Sequence, residues 1–274
     1  MAETEKRQGS EGKAHMAKTP ADKAPARNRR GVKPLVAALV VLLAIGLCGT
    51  AFLVNQYLAG QRQAQIEEQT PVPENPTDAE DSEVPEEDPR PANPIDFPSL
   101  KAEHPDIYAW VTIPDTGVNH PIVQSATDDN YYLYHDLDGN YTIYGSVFTQ
   151  SMNATDFSDP VTIVYGHHTD NGTMFSDLRN FTDKDYFDAH EEMYIYTPGH
   201  ILTYRIISAY EYDSRHIMNS FDFSDPQVRQ DYFASVLSPT SMQVNVREGA
   251  TLSADDKIVQ LRRAWRATAQ AATS

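Results

Sequence analysis

The sequence predicts a mainly β domain, a barrel or sandwich decorated by a few helices, tethered through a single transmembrane helix. Three observations carry this expectation. Seven short runs rich in β-branched and aromatic residues lie between Tyr108 and Leu261, bounded by Pro, Gly, Asn and Asp. Helical patterns in the same region are few. Upstream, Leu35–Val54 reads LVAALVVLLAIGLCGTAFLV without a charge, and about 20 such residues span a bilayer as a helix.

The N-terminal arm, residues 1–33, is polar and basic, and its composition predicts disorder. Lys23, Arg27, Arg29, Arg30 and Lys33 crowd the near flank of the apolar run, which is placed at 34–55. The far flank is acidic, so the positive-inside rule predicts a cytoplasmic N-terminus and an extracellular domain. A cleaved signal peptide is the rival reading, but the apolar run is too long for one and the arm before it is unusually long. Residues 56–94 contain TPVPENPTDAEDSEVPEEDPRPANP, rich in proline and acids. That composition predicts a stiff, self-repelling tether able to hold a domain off the membrane.

The folded domain is expected over 95–261. Strands are predicted at Tyr108–Ile113, His120–Val123, Ser146–Thr149, Val161–Tyr165, Met193–Tyr196, Leu202–Tyr212 and Lys257–Leu261. Turns are read at Pro114-Asp115-Thr116-Gly117 and Asp138-Gly139-Asn140. Ser224-Asp225-Pro226 caps a helix whose stripe is Val228, Tyr232 and Val236, with Phe233 and Leu237 beside it. Thr182-Asp183-Lys184-Asp185 caps a second, shorter one.

Charge excludes one class of partner. With 22 Lys and Arg against 39 Asp and Glu, the net charge of −17 argues against nucleic-acid binding. The lone cysteine, Cys48, lies in the apolar run and forms no internal disulfide. No cofactor motif is read. A metal reading of His167, His168 and Asp170 rests only on proximity, and no metal site is assigned.

The most informative stretch is Ile163–Phe181, IVYGHHTDNGTMFSDLRNF, in which a β-branched strand runs into Tyr165-Gly166-His167. It resembles the histidine motif of class B sortases, membrane-anchored cysteine transpeptidases of Gram-positive cell walls. The resemblance extends through His104-Pro105-Asp106-Ile107, Trp110, the segment DNYYLYHD at Asp129–Asp136, and Gly145-Ser146-Val147-Phe148. It continues through Asp185-Tyr186-Phe187, His190 and Tyr196-Thr197-Pro198, covering about Phe97 to Leu261.

The resemblance implies a β-barrel with extra helices. It implies cleavage of a C-terminal sorting signal after threonine by a cysteine, through a thioacyl enzyme resolved by an amine of the cell-wall precursor. Such an enzyme has a sorting-signal peptide and the precursor amine as partners, and Leu35–Val54 meets membrane lipid. His167 matches the catalytic acid/base; Tyr165 and Leu133 are candidates for lining the substrate groove. A thiolate is the attacking species, imidazole can protonate the departing amine, and a guanidinium can meet the oxyanion.

The chain departs from the family pattern at its end. After DKIVQL comes Arg262–Ser274, RRAWRATAQAATS, with neither the expected cysteine nor a strand pattern. Residues 262–274 are therefore expected to be aberrant, and the barrel to lack its final strand. Synonymous codons exist for which one restored nucleotide before Arg262 turns the tail into Ser-Thr-Cys and, downstream, an arginine before an apolar residue. Arg262, Arg263 and Arg266 are accordingly not given the catalytic arginine's role. The expectation is an inactive sortase-type chain; the alternatives are a membrane-tethered binding module that keeps the signal groove, or an adhesin-like domain.

Overall fold

The computed structural model describes residues 32–69, 93–169 and 172–264. The basic arm up to residue 31, the middle of the linker, Asp170, Arg266 and the rest of the tail lie outside the described residues. The chain divides into two compact units, residues 1–50 and 51–274.

Helix α1 (Val32–Gln69) is one continuous helix of 38 residues. Its apolar part is long enough to cross a membrane. The helix corrects the expected tether: Gln56–Gln69 is helical rather than extended. The reason is local. QRQAQIEEQ is built of good helix formers, and the first helix breakers are Pro71 and Pro73.

In the second unit, Asn93 donates to the Thr197 carbonyl at 2.8 Å and pins the start of the domain. Helix α2 (Phe97–Glu103) follows, capped by Asp96 with proline in its first turn. Strand β1 (Ile107–Thr112) is buried throughout and pairs antiparallel with β2 (Asn119–Val123) across the expected Pro114–Gly117 turn. Strand β3 (Val161–His167) is likewise fully buried. Helix α3 (Lys184–Ala189) takes its predicted cap from Asp183. Strands β4 (Glu192–Thr197) and β5 (His200–Arg205) form a hairpin closed at Gly199.

The single strand expected over Leu202–Tyr212 is broken. It divides into β5 and β6 (Ser208–Tyr210). Ile206 donates to Glu191 while its own carbonyl accepts from the Arg247 guanidinium at 2.8 Å, so the backbone leaves the β4 ladder there. A short α4 (Ile217–Ser220) precedes α5 (Pro226–Leu237), where Asp225 caps the first turn and Tyr232, Phe233 and Val236 are buried as the stripe predicts. Strand β7 (Val244–Val246) pairs with β6.

The last strand, β8 (Ile258–Ala264), pairs parallel with β3 from Val161↔Ile258 through His167↔Ala264. It corrects the expected domain end at 261: Arg262, Arg263 and Ala264 continue the strand because β3 still offers ladder partners as far as His167.

The segment around Phe148, expected as a strand, is a bridge. Phe148 exchanges backbone hydrogen bonds with Tyr165 at 2.9 and 2.7 Å, while Thr149 donates to Val123. It joins β2 to β3, giving one rolled sheet in the order β5-β4-β1-β2-bridge-β3-β8. Trp110, Tyr196, Ile107 and Ile163 pack on one side of this sheet, and Val111, Val164, Ile195 and Phe175 on the other. Among the described residues the roll does not close: β5 and β8 are its two edges.

Candidate functional site

His167 ends β3 and is buried. Its Nε2 lies 2.8 Å from the Leu133 carbonyl. A carbonyl only accepts, so Nε2 carries the proton in this bond. Leu133 belongs to a short 3-10 turn, Tyr131–Leu133, and that turn is held by Gly145. A Cβ on Gly145 would lie 2.5 Å from the Tyr132 carbonyl oxygen and 2.6 Å from that of Leu133, at a φ of +58°. Only glycine permits this approach, which lets Ser146 donate to Tyr132 at 2.8 Å.

Gly166 has a different reason. A Cβ there would come within 2.7 Å of the Phe175 ring, which is fully buried against β3. The glycine lets Phe175 seat beside His167, so the Tyr-Gly-His and Met-Phe signals belong to one packing unit. His168 is exposed, one step out of phase with His167. Among the described residues no three metal-ligating side chains converge.

Tyr165 is buried with its ring stacked on Phe148 at 5.4 Å. Burial pushes its hydroxyl above the ordinary tyrosine range, while the nearby Arg262 guanidinium pulls the other way without a well-formed hydrogen bond. Leu133 packs against the same core. Neither side chain lines the large cleft; what Leu133 brings to His167 is its backbone carbonyl.

That cleft has a volume of about 2080 Å³ and runs between the two sheet edges. Thr203, Tyr204 and Arg205 of β5 line one wall and Ile258–Arg263 of β8 the other, with His167 and His168 at one end. Arg262 is tethered there. It donates to the carbonyls of Arg215 and Asp213, both at 2.8 Å, and lies over the Tyr212 ring. A guanidinium committed to two carbonyls is poorly placed to follow a developing oxyanion.

Sequence reasoning missed Arg262's anchorage and a buried pair between His120 and Glu67. The His120 Nδ1 lies 2.7 Å from Glu67 Oε1, and its Nε2 lies 3.0 Å from the Met174 carbonyl. Nothing in local composition signals either contact, since the partners are 47 or more and 53 residues apart.

Comparison with known proteins places this geometry. The sortase domain matches residues 111–247. Sortase B of Listeria monocytogenes is 33% identical over 164 residues, covering 59% of this chain and 64% of the relative. The chain thus spans a little under two thirds of that relative's length. Among solved structures, Clostridium perfringens sortase B superposes with a TM-score of 0.53 at 27% identity, covering 60% of this chain and 88% of that one. A Streptococcus pyogenes class B sortase involved in pilus biogenesis gives 0.53 at 29%, covering 63% and 91%. Domain match, relatives and fold converge on one assignment: the chain belongs to the sortase family, in class B.

Proposed function

We propose that the chain is a sortase-type transpeptidase scaffold, built to bind a C-terminal sorting signal and to cleave it after threonine, but silent for want of a nucleophile. The reading rests on one observation, the register that pairs His167 with Ala264. That pairing sets position 264 beside His167 on the neighbouring strand, which makes it the position at which the family's cysteine would be sought. Alanine occupies it, and the chain's one cysteine, Cys48, lies in the apolar run.

In a chain with cysteine at 264, the thiolate would attack the threonine carbonyl. His167 Nδ1, with Nε2–H committed to Leu133, would take the proton the thiol loses and then pass it to the departing amine. An amine of the cell-wall precursor would resolve the thioacyl enzyme, and the oxyanion would need an arginine other than the tethered Arg262. A one-nucleotide shift before Arg262 is the simplest account of the tail, since synonymous codons exist for which restoring it returns cysteine to the third position after Leu261. The basic arm and acidic far flank support a cytoplasmic N-terminus and an extracellular domain.

The test uses the full chain in detergent and fluorescent peptides with a threonine-containing sorting signal. The chain as given should form no thioacyl adduct and cleave nothing. The frame-restored chain should do both, and lose both with His167→Ala. Cleavage by the unrepaired chain that depends on His167 would overturn the reading. The persistence of the cleft beside His167 favours a second reading, a tethered module that binds the signal without turnover; saturable peptide binding to the unrepaired chain supports it.

A further inference from the structure

We propose that Arg262 is a plug built into this chain: it clamps the 211–216 segment onto β8 and closes the end of the cleft beside His167 to an extended peptide. The inference rests on the sorting-signal reading. It adds that the unrepaired chain is shut to the signal as well as lacking its nucleophile.

The argument begins with the segment that Arg262 holds. The segment leaves β6 at Tyr210 and is fixed again at His216, whose Nε2 lies 2.7 Å from the Gln150 side-chain oxygen, and at Ile217, which is fully buried. Between these anchors Asp213, Ser214 and Arg215 are exposed. The Asp213 carboxylate is turned back on Arg215, its own neighbour. Among the described residues, the only hydrogen bonds that tie 213–215 to another element come from Arg262, one to the Asp213 carbonyl and one to that of Arg215. The same guanidinium lies 5.4 Å from the centre of the Tyr212 ring. One side chain thus joins β8 to this segment at the end of the cleft that holds His167.

The two carbonyls stand two residues apart and face one donor. Carbonyls in that relation are what the edge of an extended strand offers to the amides of a neighbouring chain. The guanidinium takes both.

The strand register places the plug. Arg262 pairs with Tyr165, two rungs before the pair of His167 with Ala264, which is about 6–7 Å along the strand. A peptide extended in the cleft, with its scissile carbonyl beside His167, brings a residue close to its threonine onto that rung. Arg262 already fills the place. Tyr165 lies beneath it: its hydroxyl is buried beside the guanidinium, yet makes no well-formed hydrogen bond among the described residues. A buried hydroxyl without a partner is unfavourable, and a peptide could satisfy it once Arg262 is gone. The same cover accounts for Tyr165 standing behind the cleft wall rather than in it.

The test uses the full-length chain in detergent, with Cys48→Ser and a nitroxide on Ser214→Cys as the parent. Arg262→Ser, Arg262→Lys and Arg263→Ser are added to it singly. The label should be slow in the parent and mobile in Arg262→Ser. A fluorescent threonine-containing signal peptide, followed by anisotropy, should bind Arg262→Ser about tenfold or more tighter than the parent, the equivalent of one hydrogen bond from a charged group. Lysine cannot fork to two carbonyls and should fall between. Arg263→Ser removes the same charge from the other face of the strand and should change neither readout. Equal peptide affinity in the parent and Arg262→Ser overturns the plug. So does a label already mobile in the parent, or one that stays slow in Arg262→Ser. An equal response to Arg263→Ser also overturns it, since only a general effect of charge is then left. Should Arg262→Ser not fold, Arg262→Lys decides on the same two readouts. Failure of the sortase reading shows separately, as a frame-restored chain that neither binds nor cleaves the peptide; the label needs no peptide and still decides the clamp.

Discussion

Replacing Glu67 should loosen the docked half of α1, with a pH dependence of defined sign. His120 is 2% exposed, and both its ring nitrogens face acceptors, the Glu67 carboxylate and the Met174 carbonyl. A neutral imidazole has one N–H and can satisfy only one of them; the imidazolium satisfies both. Burial pulls the His120 pKa down, but the Glu67 charge and hydrogen bond, with the backbone at Met174 and Gly117, outweigh it and leave it raised. Asp177 accepts from the amide of Gly117, whose backbone also faces the His120 ring, at 2.6 Å.

Removing one partner of a fully buried pair costs about 3–5 kcal/mol. The Glu67 side chain is 18% exposed, so water recovers part of the loss, and about 2–3 kcal/mol is expected for Glu67→Ala. At 1.36 kcal/mol per decade that is roughly 30- to 150-fold. Amide exchange over 57–69 in the full-length protein reads it directly, as protection lost by about that factor. Because the docked pKa is raised, docking is strongest below the ordinary histidine value of about 6.5. It weakens as pH rises through the raised value, and Glu67→Ala should flatten this dependence. Protection that ignores Glu67→Ala, or that increases with pH after correction for intrinsic exchange, would refute the reasoning.

Three further outcomes are expected. Gly145→Ala meets two backbone oxygens at a positive φ and should lower stability by about 3 kcal/mol or more; Gly199→Ala has a positive φ but open space and should cost only about 1 kcal/mol, both read by thermal melts. Gly166→Ala must displace the buried Phe175 ring and should cost about 1–3 kcal/mol, with a shift in the His167 ring resonances. The frame-restored chain should melt above the unrepaired one and become reactive to a thiol probe, and a melt at or below the unrepaired chain's would count against a strand filling the cleft.

The β runs were legible because their residues are apolar, β-branched and buried on both faces, as in β1 and β3. Caps were legible because Asp183 and Asp225 act within their own turns. What failed was non-local. The break between β5 and β6 is set by Arg247, about 40 residues on. The extension of β8 through Ala264 is dictated by β3, not by the composition of RRA. Helix α1 runs past the apolar segment because helix formers continue there, while the eye is drawn to the prolines that follow. At the site, His167 was read from its motif, but its hold on Leu133 was not. That hold depends on Gly145, whose demand for a positive φ is invisible until the turn exists.

The seam left open between β5 and β8 among the described residues has a mechanical consequence. A closed barrel behaves like a hoop: strand tilt and stagger are fixed together, so no strand can shift alone. Cutting the hoop removes that constraint and leaves curvature to side-chain packing. The lips of the cut are then the most compliant part of the sheet; position 264 sits on one of them, and His167 on the strand beside it. Even with both reacting groups supplied, their spacing would fluctuate with the breathing of the seam, so a thiol at 264 without a closing strand should meet the imidazole only intermittently.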